Sequence, residues 1–292
     1  MPVRIDHVIV AGRDLTQLEA AFIRLGFNVV GGGRHPHLGT RNRIILLDQG
    51  YIELLAIADE QVVSPAVRER IETAPGWIGF ALQSADIAEE ADAMRARGPD
   101  VRGPKPGRLV APDGNVRSWQ TVTVGSDDLF SAAEPLPFVI QHDSSGVQHQ
   151  QELAGADPIS PHPNGARRLQ AVVLAVANVM EAERAFERTY GLAPSEPVKV
   201  APFVHAMLTL KLPANDDRII LAEPLGAGII NDRLVTAGEG VCCVSVAVAD
   251  LDVTHDYLQQ NGVPLTQWEN GLMIPATSTG GAPLAFVKDI SE

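Results

Sequence analysis

Glu53 is the residue whose place in the sequence asks for a chemical reason. It interrupts the apolar run Ile52, Leu54, Leu55, Ala56, Ile57, and a carboxylate in such company is costly unless it is paired or metal-bound. His7 opens another apolar run, Val8-Ile9-Val10. A carboxylate and an imidazole brought together are suited to proton transfer, most naturally abstraction of a proton next to a carbonyl. Arg41, Asn42 and His35 offer donors that would hold substrate oxygens. Trp119 is either a stacking wall for a substrate or plain core. Gln141, a further candidate for holding substrate, and His142 are neighbours on one strand, so alternation turns only one of them inward.

Other signatures exclude chemistry. No Ser-His-Asp, Cys-His or dinucleotide fingerprint appears in a suitable context. Gly31-Gly32-Gly33 precedes neither a Lys-Ser/Thr pair nor a helix start, so it is a turn signal and not a phosphate loop. The only two cysteines, Cys242 and Cys243, are adjacent. That spacing matches neither an internal disulfide nor a zinc motif, and it reads as small apolar core in a reducing, cytoplasmic location.

The elements that must position these residues repeat four times. Each copy is an apolar strand, an Asp or Asn, and a helix that ends at glycine. Asp14, Asp86, Asn178 and Asp250 would cap the helices, and Gly26, Gly98, Gly191 and Gly262 would close them. Cap and glycine are 12, 12, 13 and 12 residues apart, and successive caps 72, 92 and 72 apart. The equal outer intervals predict two pairs of modules. The surplus falls in a polar, Pro-rich stretch that reads as a linker. Residues 1–142 are therefore expected to form an N-terminal domain, 143–166 a linker and 167–292 a C-terminal domain. Strand-like runs follow each helix, at Asn28–Val30, Arg43–Leu47, Tyr51–Ile57, Ser118–Val124, Phe138–Gln141, Val204–Leu212, Arg218–Ala222, Leu272–Pro275 and Leu284–Val287. Ser64–Thr73 reads as a connecting helix.

A βαβββ unit repeated in pairs, with His at the start of its first strand and Glu in its last, resembles the vicinal oxygen chelate superfamily. That superfamily includes glyoxalase I, bleomycin-resistance proteins and extradiol dioxygenases. The run from Gly31 to Asn42, with Tyr51-Ile52-Glu53-Leu54, Trp119 and Leu136–Gln141, is similar to its "glyoxalase-like domain" family. The resemblance implies an α+β fold of four βαβββ modules paired into two glyoxalase/bleomycin-resistance-type domains. It also implies a site in the N-terminal cup, with Glu53 as metal ligand or base and His7 as ligand or orienting partner.

The metal-using relatives hold a divalent ion on first- and last-strand side chains of both modules. Here His7 and Glu53 match, whereas Gly79 and Phe138 stand at the second module's positions. His142 is the candidate third ligand for Zn, Ni, Mn or Fe; without it the cup would work with no cofactor. Ala171, Cys243, Ile219 and Ala285 leave the C-terminal cup without ligands. The expected activity is lyase- or isomerase-like. A non-catalytic small-molecule binding protein and an extradiol-type dioxygenase are the alternatives.

A net charge of −13 repels nucleic acid and anionic membrane, so a small molecule is the expected partner. No apolar run reaches membrane-spanning length. Four modules suffice for two cups in a monomer, while the superfamily's habits suggest a homodimer.

Overall fold

The computed structural model describes residues 2–127, 136–193, 204–214 and 216–289, and within them the chain is α+β. The first half runs β1 (Arg4–Ala11), α1 (Leu15–Arg24), β2 (Val30–His35), β3 (Thr40–Leu46), β4 (Tyr51–Ile57), α2 (Pro65–Thr73), β5 (Gly76–Gln83), α3 (Ile87–Ala96), β6 (Val101–Val110), β7 (Val116–Val124) and β8 (Phe138–His142), followed by α4 (Gly146–Ala154). The second half runs β9 (Ala166–Ala175), α5 (Val179–Tyr190), β10 (Val204–Lys211), β11 (Arg218–Pro224), α6 (Ile229–Ala237), β12 (Gly240–Val248), α7 (Leu251–Gln260), β13 (Thr266–Trp268), β14 (Gly271–Ile274) and β15 (Leu284–Lys288). Among the described residues, no helix is long and apolar enough to cross a membrane.

The four repeats share one local cause. Side-chain oxygens of Asp14, Asp86, Asn178 and Asp250 each accept bonds from two backbone N–H groups in the first turn of α1, α3, α5 and α7. The four closing glycines all take positive φ. The strands then pair alike in both halves. β1 lies parallel to β4 and antiparallel to β5; β9 lies parallel to β11 and antiparallel to β12. The first eight strands close into a barrel of order β1-β4-β3-β2-β6-β7-β8-β5. The remaining seven form an open sheet of order β10-β11-β9-β12-β15-β14-β13.

One apolar core runs through both halves, from Val8, Val10, Ile52 and Leu54 to Val244, Val246 and Phe286. Phe27 stacks on Phe286 at 5.7 Å, and Trp77 Nε1 donates to the Pro283 carbonyl at 2.7 Å. Buried Arg168 pairs with Asp289 and Asp217, and Asp217 accepts from the Ile5 N–H. The halves are thus joined by apolar burial and by polar bonds sealed inside it.

Several elements differ from the sequence expectation, which marks neither α6 nor β13. β2 begins at Val30, where the predicted strand ends, and carries the glycine run read as a turn. Gly31 (φ +53) is needed because α4 lies on it, a Cβ there standing 1.7 Å from the Leu153 carbonyl oxygen, while a Cβ on Gly32 or Gly33 would meet β3 or β6 instead. α4 itself falls inside the stretch read as a linker, with Leu153 and Ala154 buried. β6 contains Gly103, Pro104, Pro106 and Gly107, residues that disfavour a strand in isolation. It forms because β7 pairs along nearly its whole length.

Candidate functional site

Strand alternation divides β1 and β4 between two surroundings. Val8, Val10, Ile52 and Leu54 enter the shared core, while His7, Ile9, Tyr51, Glu53 and Leu55 face the barrel interior. That interior is a cavity of about 680 Å³, its mouth included. Its floor is apolar, with Ile9, Leu55, Leu109, Phe138 and Ile140. α4 closes one side with His149, Glu152 and Leu153.

Glu53 is 7% exposed and has two unlike oxygens. Oε1 accepts from Asn42 Nδ2 at 2.6 Å and lies 3.7 Å from His35 Nε2. Oε2 lies 3.8 Å from His7 Nε2, beyond hydrogen-bond reach. His7 is fixed from behind: its Nδ1 stands 2.7 Å from Asp6 Oδ1, and its ring stacks on Tyr51 at 4.5 Å. A register shift between Ile5 and His7 where β1 meets β5 lets adjacent Asp6 and His7 converge. His142 Nε2 stands 3.1 Å from the same Asp6 oxygen.

The electrostatics follow from this packing. Burial alone would raise the Asp6 carboxyl, but His142 and His7 beside it outweigh burial and hold it well below the usual range. An ionised Asp6 accepts the Nδ1 proton of His7, which leaves Nε2 facing Glu53. Burial lowers His35 against the pull of Glu53, so its neutral form is favoured. Burial, with His142 adding to it, takes His149 down to about 4. Burial raises the Tyr51 phenol well above its ordinary value, which keeps it a proton donor. Arg117 is half-buried in the cavity wall, and its Nε has no partner.

The structure gathers most of the residues singled out by sequence. His7, His35, Asn42, Glu53, Trp119 and His142 all line the cavity. Trp119 meets His35 edge-on at 5.9 Å. Two residues do not belong. Arg41 alternates with buried Asn42 and faces solvent. Gln141 alternates with His142 and turns to the start of α3, where it accepts from the Ile87 N–H and donates to the Ala85 carbonyl. His35, read as part of a loop, ends β2 and is buried.

Asp6, Tyr51, Arg117, His149 and Glu152 were not foreseen as site residues. The alternation of Arg117 with Trp119 on β7 was the available signal for that arginine. Nothing local marks His149, which lies in the polar stretch whose composition reads as a linker.

The family-type metal set is not assembled. Gly79 and Phe138 offer no donor atoms, and Glu53 Oε1 is already bonded to Asn42. The proposed trio His7, Glu53 and His142 does not converge. Among the described residues, the one group of three such donors within 4.8 Å of one another is Asp6, His7 and His142. Its separations are those of hydrogen bonds to a shared carboxylate oxygen. In the second half, Cys242, Cys243 and Ala285 pack with Ala175, Ala222 and Ile230 of α6 into an apolar cluster. Burial raises both thiols, Cys242 to about 12.

Comparison with known proteins gives a family and a fold. The model of the glyoxalase-like domain family matches residues 5–190. A hypothetical protein from Staphylococcus aureus superposes with a TM-score of 0.67 at 16% identity, covering 98% of this chain and 100% of its own. A mutant of 4-hydroxymandelate synthase from Streptomyces coelicolor superposes with a TM-score of 0.65 at 14% identity, covering 99% and 93%. Methylmalonyl-CoA epimerase from Mycobacterium tuberculosis aligns over 42% of this chain and 89% of its own, at 22% identity and a TM-score of 0.39. No curated protein matches the sequence.

Proposed function

The chain belongs to the glyoxalase-like domain family, and from that premise we propose that it is an enzyme that moves a proton next to a carbonyl of a small molecule held in the N-terminal cup. The observation that carries this reading is the division of labour on Glu53. Asn42 anchors Oε1, and Oε2 stays free toward the cavity, 3.8 Å from an imidazole that Asp6 holds in place. An anchored carboxylate with one free oxygen is a general base of fixed direction.

Glu53 Oε2 takes the proton from the carbon, and His7 Nε2 relays a proton to or from the substrate. The negative charge that develops on the carbonyl oxygen is met by Arg117 and by neutral His35. The apolar floor excludes water and receives the substrate's body, with Trp119 as one wall. No step is routed through a metal, because the donors at the family's metal position are incomplete. The same gap counts against an extradiol-type dioxygenase, which needs a full His-His-Glu set.

The test is proton exchange in deuterated water. A panel of small ketones, aldehydes and 2-oxo acids is incubated with the protein and followed by NMR. Catalysed deuterium uptake at one carbon, lost in Glu53→Gln, supports the reading. No uptake across the panel, with one compound bound tightly, would favour the second reading, a sequestering protein. The closing of one side of the cup by α4 is what favours that alternative.

A further inference from the structure

A second cavity lies where the halves meet, about 850 Å³ with its mouth. The first half contributes Arg70 from α2 and Trp77 from β5; the second contributes Arg233 and Ala237 from α6, Cys242 from β12 and Met273 from β14. Its walls are mainly apolar, and the exposed Asp232 and Thr236 of α6 also line it. Its cations stand out in a chain of net charge −13.

Both guanidinium groups are built in. Arg233 donates to the carbonyls of Val241 (3.0 Å), Gly238 (2.7 Å) and Glu239 (3.0 Å). Gly240 makes room for it, since a Cβ there would stand 2.6 Å from Arg233 Nη2. Arg70 Nη2 donates to the Trp77 carbonyl at 2.9 Å, while buried Nη1 has no partner. All these partners are neutral, so neither arginine has a carboxylate bonded to it among the described residues. Burial lowers Arg70 to about 10, and the nearby Arg233 charge adds to the effect. Two like charges lining one largely apolar cleft are unfavourable unless an anion joins them.

We propose that this cleft is a second ligand site, which takes an organic anion with an apolar body and a carboxylate or sulfonate head. The head lies between Arg70 and Arg233, where Arg70 Nη1 gains an acceptor after a small rotation. The body lies along Trp77, Met273 and Ile274. The site is independent of the cup, and an occupant there bridges the two halves.

The probe is 8-anilinonaphthalene-1-sulfonate, whose fluorescence rises on binding to the full-length protein. Neutral N-phenyl-1-naphthylamine is the charge control, and decanoate is the carboxylate competitor. Saturable sulfonate binding displaced by decanoate is expected, about tenfold weaker in Arg70→Gln. Arg117→Gln, in the cup, should leave it unchanged, and the neutral dye should bind Arg70→Gln as it binds the parent.

Ala237→Phe fills the cleft while keeping both charges and should abolish binding of both dyes there. It decides the matter if melting shows that Arg70→Gln is misfolded. The proposal is overturned if Arg70→Gln and Ala237→Phe bind the sulfonate as the parent does. It is also overturned if Arg117→Gln alone removes the binding, or if Arg70→Gln weakens both dyes equally.

Discussion

Asp6 and His142, 136 residues apart, meet through a 3.1 Å contact at the carboxylate oxygen that also holds His7. One buried charge thereby orients an imidazole from β1 and another from β8. It ties the two modules of the barrel together at the point where the proposed proton transfer occurs.

Replacing Asp6 by Asn should uncouple both imidazoles while keeping the side chain's shape. Catalysed deuterium exchange should fall about 10²–10⁴-fold, the usual worth of a positioned acid–base group. Glu53→Gln should lose exchange to a similar degree yet melt at the same temperature or about 2–4 °C higher, since it removes a buried charge. A clear drop in melting temperature for Glu53→Gln would make the carboxylate structural.

Arg41 and Asn42 are adjacent in sequence and opposite in consequence. Arg41→Ala, on the solvent side of β3, should change stability by less than about 0.5 kcal/mol and leave exchange intact. Asn42→Ala releases Glu53 Oε1 in a buried place and should cost about 1–3 kcal/mol with loss of exchange. Denaturant melts and the exchange assay on both variants check the pair. Equal effects would contradict the strand's orientation.

Stability should fall with acid in two stages. His149 is lowered from 6.5 to about 4 by burial first, and His35 is lowered in the same direction. The unfolded chain therefore takes up these protons before the folded one, and stability present above about pH 6.5 declines toward pH 4. Asp6 is depressed below its ordinary value of 3.8, so its contribution is present above that pH and is lost below it. Melting temperature measured from pH 8 to pH 3 should show both stages. His149→Gln should flatten the upper one.

The thiols should be silent in the folded protein. Cys242 and Cys243 are each 2% exposed, and burial raises both above the physiological range. A disulfide exchange reagent at pH 8 should titrate neither until denaturant is added, then both. Cys243→Ala should cost about 1 kcal/mol and leave exchange unaffected, as a small truncation in the apolar cluster beneath α6. Rapid native labelling would show that the second cup opens.

Protein purified without chelator should carry no stoichiometric metal, because among the described residues only Asp6, His7 and His142 converge and their contacts already suit protons. Elemental analysis checks this. One equivalent of Zn, Ni, Mn or Fe that is lost in Asp6→Asn would place a metal on that trio.

The local grammar of the chain was legible residue by residue. Caps at Asp14, Asp86, Asn178 and Asp250 act within three residues of themselves, and β4 was bounded correctly at Tyr51–Ile57 because its apolar run is continuous. Glu53 and His7 declared themselves by interrupting or opening such runs, and the repeat carried the family resemblance. What depends on distant chain was not legible. The inward face of β3 and β8, hence Asn42 over Arg41 and His142 over Gln141, is settled by pairing register, and a shift of one residue would reverse it. Asp6 joins His7 only through an irregularity in β1 against β5. α4 sits against the barrel because Gly31 of β2 lets its backbone come close, and β6 is a strand because β7 is beside it. Sequence determined which residues had chemistry to offer. Tertiary packing decided which of them face each other, because facing is a property of register and close approach and not of composition.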